Sequence, residues 1–168
     1  MPRIFISYRR DDSAETAAIV NNRLEFRFGP DNVFFDREDI KPGDTFDERI
    51  RAQLEDADVV LAVIGPRWVD AADKSGNQRL KNPHDWVALE LRTALEDDKH
   101  IIPVLVDDAQ PPRADALPEP LRPLANIHAH SISPHSTPGD ITELIGFIEK
   151  ASTGEDPEGA ITFLFTDI

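Results

Sequence analysis

"DVVLAVIG", residues 58–65, decides how this chain folds. An unbroken apolar run of this length, closed by a glycine, is typical of a strand buried on both faces. Working outward, "RIFISY" (3–8) reads as an earlier strand and "NVFFD" (32–36) as a short second one. "HIIPVLV" (100–106) is a further apolar strand, and "ANIHAHSI" (125–132) reads as a short edge strand. Amphipathic stretches lie between them. Asp12, with Glu15 three residues on, predicts a capped start for the helix "SAETAAIVNNRLEFRFG", which Gly29 ends. A Pro-Gly turn precedes a second helix, with Thr45 and Glu48 at capping-box spacing. Pro83 suits the first position of a third helix that runs to about Asp98. The proline-rich stretch 107–123 reads as loop with at most a short helical turn, and "GDITELIGFIEKAS" (139–152) as the last helix. Strand and helix alternate, so the expected fold is α/β, a parallel sheet with helices on both faces.

With 168 residues there is enough chain for one ordinary domain and little more. No cysteine is present, which excludes disulfides and thiol catalysis and suits a reducing, cytoplasmic setting. Acidic residues outnumber basic ones by 32 to 18, so a nucleic-acid or anionic-membrane partner is not expected. The start of the chain does not read as a signal peptide, and no apolar run is long enough to span a bilayer.

In open α/β sheets, ligands bind beyond the carboxyl ends of the strands. There Arg9, Arg10, Arg37, Lys41 and Arg67 place positive charge along one rim of an acidic molecule, suited to a pyrophosphate or a carboxylate. A solvated loop rim with helix caps is the simpler account of them. Pro42-Gly43 suits the centre of a type II turn. On the third helix, Val87, Leu91, Ala94 and Leu95 form an apolar stripe, with Trp86 and Glu90 along its edge, at the boundary of core and solvent. No Lys or Arg stands three or four residues from Glu90, so a helical ion pair does not account for it. His128 and His130 share a strand face but lack a third ligand, and no metal is expected in this domain. The common dinucleotide and P-loop fingerprints are absent.

Together "RIFISYRRDDS", "VFFDREDIKPGDTFDERI", "ADVVLAVIGPRW" and "DWVALELRTALEDDKHIIPVLV" resemble, in order and spacing, a Toll/interleukin-1 receptor (TIR) domain over residues 1–151. The last of these segments is similar to the NAD⁺-cleaving members of the family. The resemblance implies a flavodoxin-like, five-stranded parallel sheet. It implies that Glu90 is the catalytic carboxylate and that NAD⁺ is a substrate, with no separate cofactor. Tyr8, Arg9, Arg10, Arg37, Lys41, Trp68 and Trp86 become candidates for the substrate cleft. Asp39, Ile40, Lys41, Pro42, Gly43 and Asp44 match the family's BB loop, which implies self-association or contact with other TIR domains. The expected activity is a bacterial-type, assembly-dependent NAD⁺ glycohydrolase yielding nicotinamide and ADP-ribose or a cyclic form. The rival is a non-catalytic adaptor that assembles through the same loop.

Residues 152–159 read as an acidic linker. After it, "AITFLFTDI" (160–168) resembles the opening strand of a class III adenylate/guanylate cyclase, in which Asp167 would bind a catalytic metal. That resemblance implies a signalling protein in which a TIR domain precedes a cyclase.

Overall fold

The apolar run at 59–64 is a strand with all its residues buried, and it lies at the middle of the sheet. The structure, a computed structural model, describes residues 1–35 and 48–153. Asp39, Ile40, Lys41, Pro42, Gly43, Asp44, Arg37, Thr45 and Asp167 lie outside these residues, as do the end of the second strand reading at Asp36 and the segment 160–168.

Among the described residues the strands are β1 (Ile4–Ser7), β2 (Val33–Phe34), β3 (Val59–Ile64), β4 (His100–Val106) and β5 (His130–Ile132). They form one parallel sheet in the order β2-β1-β3-β4-β5, with β5 at an edge. This is the flavodoxin-like order, in which the chain reverses direction between β1 and β3. The helices are α1 (Arg10–Phe28), α2 (Glu48–Asp56), α3 (Trp86–Glu96) and α4 (Thr137–Thr153).

Alternation along β1 sorts the two cores. Ile4, Ile6 and Tyr8 join α1 and α4 residues such as Val20, Leu24, Ile141 and Leu144. Phe5 points the other way, into a second cluster with Ile50 and Leu54 of α2 and Val87 and Leu91 of α3. A strand buried by helices on both sides needs no polar face, which is why β3 is apolar at every position. Pro103 sits inside β4, opposite Ala62 of β3. β5 pairs only with 104–106, so on that side Pro103 lies at an edge, where a missing N–H is tolerated.

Some element boundaries differ from those expected. Gly29 does end α1, with a φ of 95° and its N–H bonded to the Glu25 carbonyl. Asp12, however, does not cap that helix. The chain kinks at Ser13 (φ −142°, ψ 26°), and the Asp12 carboxylate turns to the loop after β3, accepting from the N–H groups of Gly65 and Arg67 at 2.8 Å each. α3 starts three residues after Pro83, with Asp85 as its N-cap. The proline-rich stretch carries two 3₁₀ segments, Ala114–Ala116 and Glu119–Asn126, more helical structure than expected. α4 takes in Ser152 and Thr153, where the linker reading begins.

Candidate active site

The same alternation that buries Phe5 aims the next two odd-numbered residues at α3. Ser7 Oγ donates a 2.8 Å hydrogen bond to Glu90 Oε1. Arg9, just beyond the end of β1, donates from both Nη atoms to the two oxygens of Asp85, at 3.0 and 2.9 Å. Asp85 Oδ2 also accepts from the Ala88 N–H, so one carboxylate caps α3 and holds Arg9. Arg79, in the 3₁₀ turn Arg79–Lys81, approaches Asp85 at 3.9 Å and Asp11 at 3.1 Å. Two guanidiniums, Arg9 and Arg79, thus face the carboxylates of Asp85 and Asp11.

Glu90 is 0% exposed. The sequence places it on the boundary between core and solvent; instead it lies under the end of β1. A wheel drawn on α3 alone shows it at the flank of the apolar stripe, but the overhanging strand covers that flank. Trp86, at the first position of α3, is half-buried against the same cluster that holds Phe5.

The other candidates are distributed differently from the expected cleft wall. Tyr8 points to the opposite side of the sheet from Ser7 and Arg9, where its ring stacks on Phe35 at 4.8 Å. Trp68 has no exposed surface and packs in the core beside α3, so it is not open to a ligand. Arg9 is 2% exposed and its terminal nitrogens are taken. Of the expected basic rim, Arg10 and Arg67 are exposed. The Arg67 side chain bonds the Asp11 carbonyl oxygen. The structure therefore brings together Glu90, Trp86, Ser7, Asp85 and Arg9, places Tyr8 on the other face of the sheet, and buries Trp68 in the core that Trp86 packs against. His130 is engaged locally, its Nε2 lying 2.7 Å from the Asp140 carbonyl oxygen and its ring edge-on to Phe147.

Ser7, Asp85 and Arg79 escape the sequence reading. The signal for Ser7 was its two-residue spacing between Phe5 and Arg9. That for Asp85 was its place three residues before Ala88, hidden by the assignment of Pro83 as the helix start.

The position of the site follows from the topology. Ser7 ends β1, and the sheet order reverses between β1 and β3, the crevice where open α/β sheets bind nucleotides. A family model described as TIR domain matches residues 4–140. The chain belongs to the TIR domain family. It is 30% identical over 162 residues to the Danio rerio protein named NAD(+) hydrolase SARM1, covering 96% of this chain and 21% of that protein. It is 29% identical over 125 residues to NAD(+) hydrolase sarm1 of Drosophila melanogaster (74% of this chain, 9% of the relative). Against NAD(+) hydrolase tir-1 of Caenorhabditis elegans it is 29% identical over 120 residues (71% and 11%). The chain thus spans about a fifth or less of the length of these relatives. Among solved structures, the TIR domains of the activated Roq1 resistosome recognizing the effector XopQ share the fold. That likeness has a TM-score of 0.61 at 15% identity, over 88% of this chain and 99% of the other. Among the described residues of this TIR domain, no helix is long and apolar enough to cross a membrane.

Proposed function

We propose that this TIR domain is an NAD⁺ glycohydrolase that breaks the bond between nicotinamide and ribose, with Glu90 as its catalytic carboxylate. The observation that carries the reading is a glutamate held by Ser7 at the reversal point of the sheet, in a chain similar to proteins named NAD(+) hydrolases. In the scheme, the C–N bond breaks with its electron pair going to the pyridinium nitrogen, so neutral nicotinamide leaves. The ribosyl carbon becomes oxocarbenium-like, and the Glu90 carboxylate stabilises that positive charge while accepting hydrogen bonds from ribose hydroxyls. Water then adds to the ribosyl carbon, giving ADP-ribose and a proton; attack by the adenine of the same molecule gives a cyclic product instead. NAD⁺ enters as substrate, and the scheme uses no cofactor.

Glu90 is closed off in this structure, so the site must open for the ribose to reach it. We assign that opening to self-association through residues 39–44. Activity is then expected to rise more steeply than protein concentration. The same burial favours a second reading, in which Glu90 is a structural carboxylate and the domain is an adaptor that assembles without catalysis. Nicotinamide release from NAD⁺, followed over a wide range of protein concentration, separates the two. Release by the wild type, lost in Glu90→Gln, supports the enzyme. No release even from the concentrated, assembled protein leaves the adaptor.

A further inference from the structure

Arg9 and Asp85 form the most enclosed ion pair among the described residues, with side chains 2% and 8% exposed. The pair is bidentate, and a guanidinium gripped this way fixes angle as well as distance. Its carboxylate is also the N-cap of the helix that carries Glu90 five residues later. β1 and its continuation are therefore joined to α3 by two rungs, Ser7 to Glu90 and Arg9 to Asp85. Two strand residues advance about 6.6 Å. Five helical residues advance about 7.5 Å. The near match lets both rungs close at once, with α3 running opposite to β1. α3 cannot slide along the strand, or turn beneath it, without breaking a desolvated ion pair.

We propose that Arg9 is a positioning residue for Glu90 that acts through Asp85, and that it is not a ligand for the substrate's phosphates. The proposal rests on the NAD⁺-cleaving reading of the site. A guanidinium almost wholly buried, with both terminal nitrogens on a carboxylate, has its charge already compensated. Its output is geometric: it holds the first turn of α3, and so the height of Glu90, against the end of β1. Arg79, bridging Asp85 and Asp11, ties the loop before α3 to the same anchor.

The test uses the full chain with two conservative changes. Arg9→Lys replaces two parallel hydrogen bonds by a point contact. Asp85→Asn keeps an acceptor for the Ala88 N–H but removes the charge. Each is expected to lower kcat for nicotinamide release about 10- to 100-fold, the scale of a small misplacement of a reacting group, with KM nearly unchanged. Each is also expected to speed amide hydrogen exchange at Ala88 and Leu89, whose N–H groups bond the side chain and the carbonyl of Asp85. The double variant should cost little more than the worse single one, because the two residues act as a unit. A raised KM with unchanged kcat in Arg9→Lys, or costs that multiply in the double variant, would overturn the proposal and make Arg9 a substrate ligand. If the wild type releases no nicotinamide, the NAD⁺-cleaving reading fails by itself. The clamp is then judged by exchange alone, and unaltered protection at Ala88 and Leu89 in both variants refutes it.

Discussion

Ser7 Oγ donates to Glu90 Oε1 across 2.8 Å inside the core, tying the last residue of β1 to the second turn of α3. The bond gives Glu90 a structural role beside the catalytic one proposed for it. On the surface of α3 a Glu90→Ala change would be nearly neutral. Beneath β1 it strands the Ser7 hydroxyl, and unsatisfied buried donors cost about 1–3 kcal/mol.

Glu90→Ala is therefore expected to lower both activity and stability. Nicotinamide release should fall about 10²–10³-fold, the usual cost of losing one group that stabilises developing charge. Glu90→Gln keeps an acceptor for Ser7, so it should lose a similar activity with a smaller shift in the urea midpoint. Glu96→Ala, on the exposed end of the same helix, is the control and should change neither. A fully active Glu90→Gln would exclude Glu90 from the chemistry.

Gly65 and Asp12 form a second tight fit, at the loop after β3. A Cβ on Gly65 would lie 2.5–2.7 Å from the Asp12 carboxylate atoms. Gly65→Ala is expected to destabilise by about 1–3 kcal/mol through this overlap. Asp12→Ala should also destabilise, because it removes the acceptor for two loop N–H groups. Combined, the two changes should cost less than their sum, since the overlap goes with the carboxylate. Chemical denaturation of the two single variants and the double decides this, and strict additivity would count against it.

Asp140 offers a pH test far from the site. The Ser133 N–H, then the Ser136 hydroxyl, and to a smaller extent His130 hold its carboxyl below the ordinary value of 3.8. A carboxylate with a lowered folded-state pKa stabilises the fold above its ordinary pKa, and that contribution is lost as pH falls through the lowered value. Asp140→Asn should thus be less stable than the wild type at neutral pH, and the gap should close below 3.8. Urea unfolding at both ends of the range measures it. A gap that stays constant with pH would show that charge plays no part.

Self-association is expected to run through Pro42 and Gly43. The sequence suits them to the centre of a type II turn, so replacing either is expected to alter the backbone at that point. Light scattering should report weaker assembly, and nicotinamide release should fall in step. Unchanged scattering from a folded variant would move the contact elsewhere.

The α/β order, the buried strand at 59–64, the strand at His100–Val106 and the stop at Gly29 were all legible in the sequence. Each depends on neighbours within a few residues: an apolar run that tolerates no wet face, or a glycine that takes a positive φ without strain. Asp12 and Pro83 misled for the same reason. Their local signals were sound, but Asp12 had a better set of donors 53 and 55 residues away, and Asp85 offered α3 a true cap.

The sequence by itself determined the parallel sheet, since periodicity and composition act over one element at a time, and its resemblance to the TIR family pointed to Glu90. Only the tertiary structure decided that Glu90 is buried, that Ser7 is its donor and that Arg9 is spoken for by Asp85. Those contacts span 83 and 76 residues. They exist because the crossover between β3 and β4 lays α3 antiparallel to β1, in a register that helix and strand repeats happen to share. No pattern within either segment encodes that register; it is set where the two faces pack.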